Sequence, residues 1–355
     1  MSRAANEIVP ARGGVSRPSA MSVLGGIVLA FMAIACVGSL PYTLGRAAPS
    51  RDLAQSDAGS LRTPRRYEAA YPDQAMLPPF WSWHAPDERA HRQALAAQKH
   101  TEPRPLLGTD RLGRSVFIRS LAGGGISLSI GLAAGAIAVF IGTAYGTIAG
   151  ACGGRIDALM MRIVDILYGL PYILLVVLLA VAANGLAESA SGGVSAAGWK
   201  SVFAIIDRDV LNVLTLLVAI GGVSWLTMAR VIRGQVLSLK QQPFMEACRA
   251  MGVPVRRQFF RHLLPNLLGP IIVYATLTVP TAILSESFLS FLGIGVQEPL
   301  PSWGNLAAAG LGELNTVRTR WWMLLWPCLF VGLTLLSLNF LGEGLRERFD
   351  PKRVR

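Results

Sequence analysis

One stretch of this chain carries residues at a spacing specific enough to name a task. Gln241-Gln242-Pro243-Phe244-Met245-Glu246-Ala247-Cys248-Arg249-Ala250-Met251-Gly252 is followed, after a second segment, by His262-Leu263-Leu264-Pro265-Asn266. Pro243 suits a first helical turn, Gly252 suits the left-handed residue past a helix end, and Pro254 prevents simple continuation. These signals predict a short helix of about nine residues. Glu246 falls in its first turn, where the helix dipole favours an acid, and Ala247 and Ala250 keep one surface shallow. The chemistry of such a surface is docking into a groove of another protein rather than making or breaking bonds.

Bond-making groups are not assembled elsewhere in the sequence. Cys36, Cys152, Cys248 and Cys328 are widely scattered, with no disulfide framework and no CxxC pair. His84, His91 and His100 fit no compact ligand spacing, so no metal site is expected. A GxxxxGK[ST] phosphate loop does not occur, so ATP must be bound on another chain. Glu286, near one end of an apolar run, is a candidate pathway residue, because an acid there either meets a cationic substrate or contacts water. Arg162 and Asp165 lie three apart and are expected to neutralise each other on one helical turn.

The elements that position these residues follow from composition. The chain has 355 residues, 52% hydrophobic and 15% charged, with a mean hydropathy of +0.46. A soluble chain would carry about a quarter charged residues. Six stretches, 18–45, 120–154, 166–187, 210–229, 262–285 and 321–342, lack Asp, Glu, Lys and Arg altogether. Each is long enough for a helix rising about 1.5 Å per residue to cross about 30 Å of hydrocarbon. Their unbroken apolar character argues against barrel strands, which alternate. The expected fold is an all-α membrane protein, a six-transmembrane-helix bundle.

Charge sets the orientation. Residues 230–264 hold Arg230, Arg233, Lys240, Arg249, Arg256, Arg257 and Arg261 against the single acid Glu246, which marks that loop as cytoplasmic. The net charge of +12 is then explained by retained loop arginines rather than by a nucleic-acid partner. The expected organisation is a cytoplasmic N-terminus (1–17), a first span (18–45), an external loop with a pre-span helix (46–119), a five-helix core (120–345) containing the inner loop 230–264, and a cytoplasmic tail (346–355). The external loop carries twelve basic and eight acidic residues, which its length tolerates. Its Pro78–His84 aromatics are expected at the membrane interface. Within the second run, Gly131, Gly135, Gly142, Gly146 and Gly150 recur mostly every four residues, clearing one helical face for close packing against a helix of this chain or of a second subunit.

The inner-loop pattern resembles the EAA motif of bacterial ABC importer permease subunits, here Glu246-Ala247-Cys248, then Gly252, then Leu264-Pro265. The third motif position holds Cys in place of Ala. The resemblance narrows to the C-type subunit of dipeptide and oligopeptide permeases through Gly108-Thr109-Asp110, Gly113-Arg114, residues 261–266, 289–295, 301–304 and 348–351, and it covers about residues 106–351. It implies a chain that is not itself an ATPase. A second permease subunit, two ABC ATPase subunits holding ATP and Mg, and an external substrate-binding protein would complete the importer. The resemblance further implies that Glu246, Ala247, Cys248, Arg249, Ala250 and Gly252 form the coupling helix. The implied location is the bacterial inner membrane, with both termini cytoplasmic. Small peptides are the leading cargo; nickel complexes and glutathione belong to similar permeases. The rival readings are an ion-gradient-driven secondary transporter, which would usually place acids near mid-membrane, and a membrane scaffold.

Overall fold

A computed structural model describes residues 19–47, 64–82, 86–99, 104–191, 208–314 and 319–349. The expected termini 1–17 and 350–355 lie outside the described residues, as do His84 and His100. Among the described residues all regular structure is helical. Among the described residues five helices are long and apolar enough to cross a membrane, or six if a bent pair is counted as one span.

The first span is α1, Ala20–Gly38, extended by the short α2, Leu40–Thr43. Ser19 caps α1 by accepting the Ser22 N–H. Most of its large side chains, among them Leu24, Ile27, Phe31 and Ile34, face outward as lipid contact requires.

The second span is α4, Val116–Cys152, preceded in the outer segment by α3, Pro86–Lys99. At 37 residues α4 is about 55 Å long, well beyond the hydrocarbon thickness. Its glycine face answers which neighbour the spacing serves. A Cβ on Gly131 or Gly135 would strike Ile283 or Val279, whereas one on Gly142, Gly146 or Gly150 would strike Met228, the Ala229 carbonyl or Val236. Both neighbours belong to this chain. The stripe turns from the fifth span at one end to the fourth at the other.

The third span departs from the expected straight helix over 166–187. Instead α5, Gly154–Tyr168, and α6, Tyr172–Ser191, meet at 89°. The break is Gly169-Leu170-Pro171, where Pro171 forbids the helical hydrogen bond that would carry α5 forward. The expected Arg162–Asp165 pair is also replaced. Asp165 takes the Arg230 guanidinium at 2.9 Å, and Arg230 in turn lies over the Tyr168 ring. A long-range partner on the fourth span displaces the local one.

The fourth span is α7, Arg208–Lys240, and its contact with α4 is the most extensive among the described residues. Two ion contacts tie its inner half to the preceding elements. Arg233 grips Asp157 of α5 with two hydrogen bonds of 2.5 and 2.6 Å, a bidentate geometry. Lys240 donates to the carbonyls of Gly150 and Ala151, satisfying the open end of α4.

The inner loop forms α8, Pro243–Ala250, then α9, Val255–Gln258, and a π-turn over Phe259–Leu263 that runs into the fifth span, α10, Leu264–Phe291. Pro265 sits in the first turn of α10, where its missing N–H is harmless. Between α10 and the last span α12, Trp321–Phe349, lies α11, Trp303–Leu311, too short to cross. A capping box between Ser302 and Asn305 starts α11. Trp303, completely buried, pins it to α4 by donating Nε1–H to the Ser120 carbonyl.

Candidate functional site

Two surfaces hold the sequence-predicted residues. At the inner one, α8 spans eight residues with Gln242 at its N-cap and Pro243 in the first turn. Met251 closes it, and Gly252 takes φ +68°, the left-handed conformation that a residue with a Cβ resists. Met245 and Cys248, three apart, turn inward, while Phe244, Glu246, Ala247, Arg249 and Ala250 face outward. Cys248 therefore lies behind the docking face rather than on it, and the small residue at this motif position serves packing. Arg249 reaches back to the Lys240 carbonyl at 3.2 Å and ties α8 to the end of α7. Leu264 and Pro265 stand where the loop re-enters α10. The whole surface thus hangs between α7 and α10, and a push on it bears on both spans.

At the opposite end, Gly108 to Arg114 form a clasp. Asp110 is its centre. One carboxylate oxygen accepts the backbone N–H of Leu112 and of Arg114, and the other accepts Arg114 Nε and Arg119 Nη1. Arg114 and the buried Arg119 both continue to Glu298 in the connection between α10 and α11. Thr109 donates to the Gln74 carbonyl and accepts the Leu77 N–H, stitching the clasp to the outer segment. Gly113, at φ +73°, lets the Tyr71 carbonyl come within 1.8 Å of where a Cβ would stand. These contacts hold together the ends of α4 and α10 that lie away from α8. Nearby, Glu313 bridges Arg111 and Arg320. Trp81 packs edge-on against Trp321 and Trp326, so that aromatic covers the outer end of α12.

Burial pushes the Glu298 and Glu313 carboxyls up, but Arg119 and Arg114, and Arg320 and Arg111, outweigh it and leave both below the usual carboxylate range. A depressed native pKa contributes stability above the unfolded value of about 4.3 that is lost as pH falls through the native pKa. The outer clasp is therefore expected to loosen below about pH 4. The protection of amides over 108–119, relative to their intrinsic exchange at each pH, should fall there in the parent protein. If Glu298→Gln showed the same acid-dependent step, Glu298 would not be the titrating group.

Glu286 does not occupy the place expected of a pathway residue. It is completely buried and receives the Ser290 hydroxyl at 2.8 Å, so it neither contacts water nor faces an opening. The opening lies one residue away. A cleft of about 360 Å³ runs between α6 and α10, lined by Tyr172, Val176, Thr281, Leu284, Ser285 and Phe288. Tyr172 hydroxyl lies 3.1 Å from Ser224 Oγ and 3.3 Å from Ser285 Oγ, giving an apolar wall a short polar stripe. No group of three or more His, Cys, Asp or Glu suited to a metal occurs among the described residues.

The model of a family described as "Binding-protein-dependent transport system inner membrane component" matches residues 142–355. The chain is 41% identical over 280 residues to the dipeptide transport system permease protein DppC of Bacillus subtilis, covering 78% of this chain and 77% of that protein. It is 44% identical over 245 residues to the oligopeptide transport system permease protein OppC of Escherichia coli K12, covering 69% of this chain and 72% of that protein. Identity to OppC of Haemophilus influenzae is 42% over 258 residues, with 73% and 74% covered.

Proposed function

This chain belongs to the binding-protein-dependent transport system inner membrane components, and from that premise we infer that it is a multi-pass permease subunit of an ATP-driven importer for di- or oligopeptides or related small compounds. One observation supports the mechanism most directly. The exposed helix α8, with Glu246 in its first turn, is suspended between two membrane spans. Partner ATPases hold ATP and Mg, close when ATP binds and reopen after hydrolysis; α8 rides in a groove on one of them, and α7 and α10 follow it. Access switches because the two orientations of these spans differ in their affinity for the ATPase dimer's open and closed forms.

The second permease subunit is a different chain, as the resemblance to the C-type subunit implies, and the cleft beside Tyr172 and Ser285 is this subunit's share of the path. An external binding protein delivers the cargo. Both termini lie in the cytoplasm. Reporter fusions after Leu345 should be active inside, and an external C-terminus would break the assignment.

Purification of the tagged chain from its native membrane in mild detergent tests the reading. The expected result is recovery of a second permease and two ATPase subunits, with ATP hydrolysis stimulated by a loaded binding protein. Recovery of the chain alone under several mild conditions, without ATPase activity, would overturn it.

A further inference from the structure

We propose that α5 lies in the plane of the inner leaflet, its exposed aliphatic stripe among lipid acyl chains and its Arg155 and Arg162 on the phosphodiester headgroups of anionic phospholipids. The inference goes beyond the importer reading above, and its test needs no transport.

The stripe is regular. Ile156, Leu159, Ile163 and Ile166 follow one another at spacings of three, four and three residues, which places them on one face of a helix. All four are between 46% and 66% exposed, so the described residues leave that face uncovered. The opposite face, with Asp157, Met161 and Val164, is buried against the bundle. Arg155 and Arg162, seven residues apart, form an edge about 70° around the helix from the middle of the stripe. Both are exposed, and neither makes a side-chain hydrogen bond or ion pair among the described residues. An aliphatic stripe with an arginine border suits a helix lying on a membrane. The apolar side chains sink below the headgroups, and the arginine stems carry their guanidinium groups up to the phosphates.

The contacts of α5 give its depth and direction. The uncharged run of α7 ends at Ala229, so Arg230 and Arg233 stand at the inner boundary of the hydrocarbon. Asp157 bonds Arg233 at 2.5 Å and Asp165 bonds Arg230 at 2.9 Å, which holds α5 at that boundary. From one acid to the other α5 advances eight residues, about 12 Å, while their partners are three residues, about 4.5 Å, apart along α7. Thus α5 crosses α7 steeply instead of running beside it, in keeping with its 89° turn into α6. At 20 residues α6 is long enough to cross the bilayer by itself, which leaves α5 free to lie along the inner surface. The unpaired arginines favour lipid over a second subunit as the cover of the stripe, because the core of a protein interface is depleted of charge.

The test uses the complex as purified from its native membrane, with a benzophenone amino acid in place of Leu159 or Ile163, in nanodiscs of equal phosphatidylcholine and phosphatidylglycerol. On irradiation, both positions should capture phospholipid, and phosphatidylglycerol should exceed phosphatidylcholine by on the order of tenfold, the preference two surface arginines supply. The same probe in place of Ala158, outside the stripe, should capture far less. In the double variant Arg155→Gln, Arg162→Gln the two lipids should be captured about equally; because neither arginine has a partner to lose, this variant should assemble normally. Capture of another subunit at both stripe positions would overturn the proposal and name a protein as the occupant. Capture of nothing would overturn it by placing the stripe in water. Equal capture of the two lipids by the parent would overturn the role of the arginines, as would loss of the preference on adding inorganic phosphate at constant ionic strength, which would make them a site for a soluble anion. Location is read from the parent arginines alone, so it is decided even if the double variant assembles poorly.

Discussion

Glu246→Lys abolishes uptake while the protein stays in the membrane at its normal level. The carboxylate is exposed in the first turn of α8 and makes no contact that folding depends on, so the folded chain tolerates the change. Lys reverses the charge offered to the partner and places a cation at the positive end of the helix. Like-charge juxtaposition at an interface costs several kcal/mol, enough for a loss on the order of a hundredfold or more. Uptake normalised to membrane abundance checks this, with Cys248→Ala as a control. Because Cys248 turns inward beside Met245, its truncation should leave docking close to normal. Unchanged uptake in the Glu246→Lys variant at normal abundance would remove α8 from the coupling role.

Gly146→Leu, by contrast, is expected to deplete the protein itself. A Cβ at this position would lie 2.3 Å from the Ala229 carbonyl and 3.0 Å from the Arg233 nitrogen, both backbone atoms of α7 that cannot turn aside. Adding further methylenes must push α4 and α7 apart along their whole seam, so the cost exceeds the 1–3 kcal/mol of an ordinary overpacked core. Steady-state abundance should fall about tenfold, given the small margin on which folded chains persist. Gly234→Ala provides the contrast. Nothing lies within 4 Å of its would-be Cβ, and Ala is the better helix former. If the Gly146 and Gly234 variants accumulated alike, the seam would not be the element that holds the bundle.

The sequence makes the spans legible because a hydrocarbon core excludes charge, and charge-free runs can be counted. The same scan passes over the break at Gly169-Leu170-Pro171, since none of those residues is charged; their turn chemistry is the signal. Glycine spacing reveals a close-packed face but not its neighbour, because spacing along one helix says nothing about which other helix fills the gap. The partner of Asp165 is hidden for the same reason: Arg162 is near in sequence, Arg230 is near in space. The charge-free runs mark only the spans, so the short helices between them need other signals. α3 lies in a polar stretch, and α11 is nine residues long, although Ser302 and Asn305 at capping-box spacing mark its start. For Glu286, periodicity locates the span but not which way its last turn faces, so its complete burial cannot be read from local pattern.

The length of α4 and α7 has a mechanical meaning. Each exceeds the hydrocarbon by roughly 20 Å, and the glycine seam together with the Lys240 bonds to Gly150 and Ala151 fastens them to each other. They form a stiff double strut rather than two loose rods. A tug on α8 is then a torque about the mid-plane of the bilayer. With an arm of about 25 Å, a rotation of roughly 10° swings the far end by about 4 Å, with no hydrogen bond in the seam exchanged. Motion of that size is a small fraction of a helix diameter, yet it is comparable to the width of a peptide backbone.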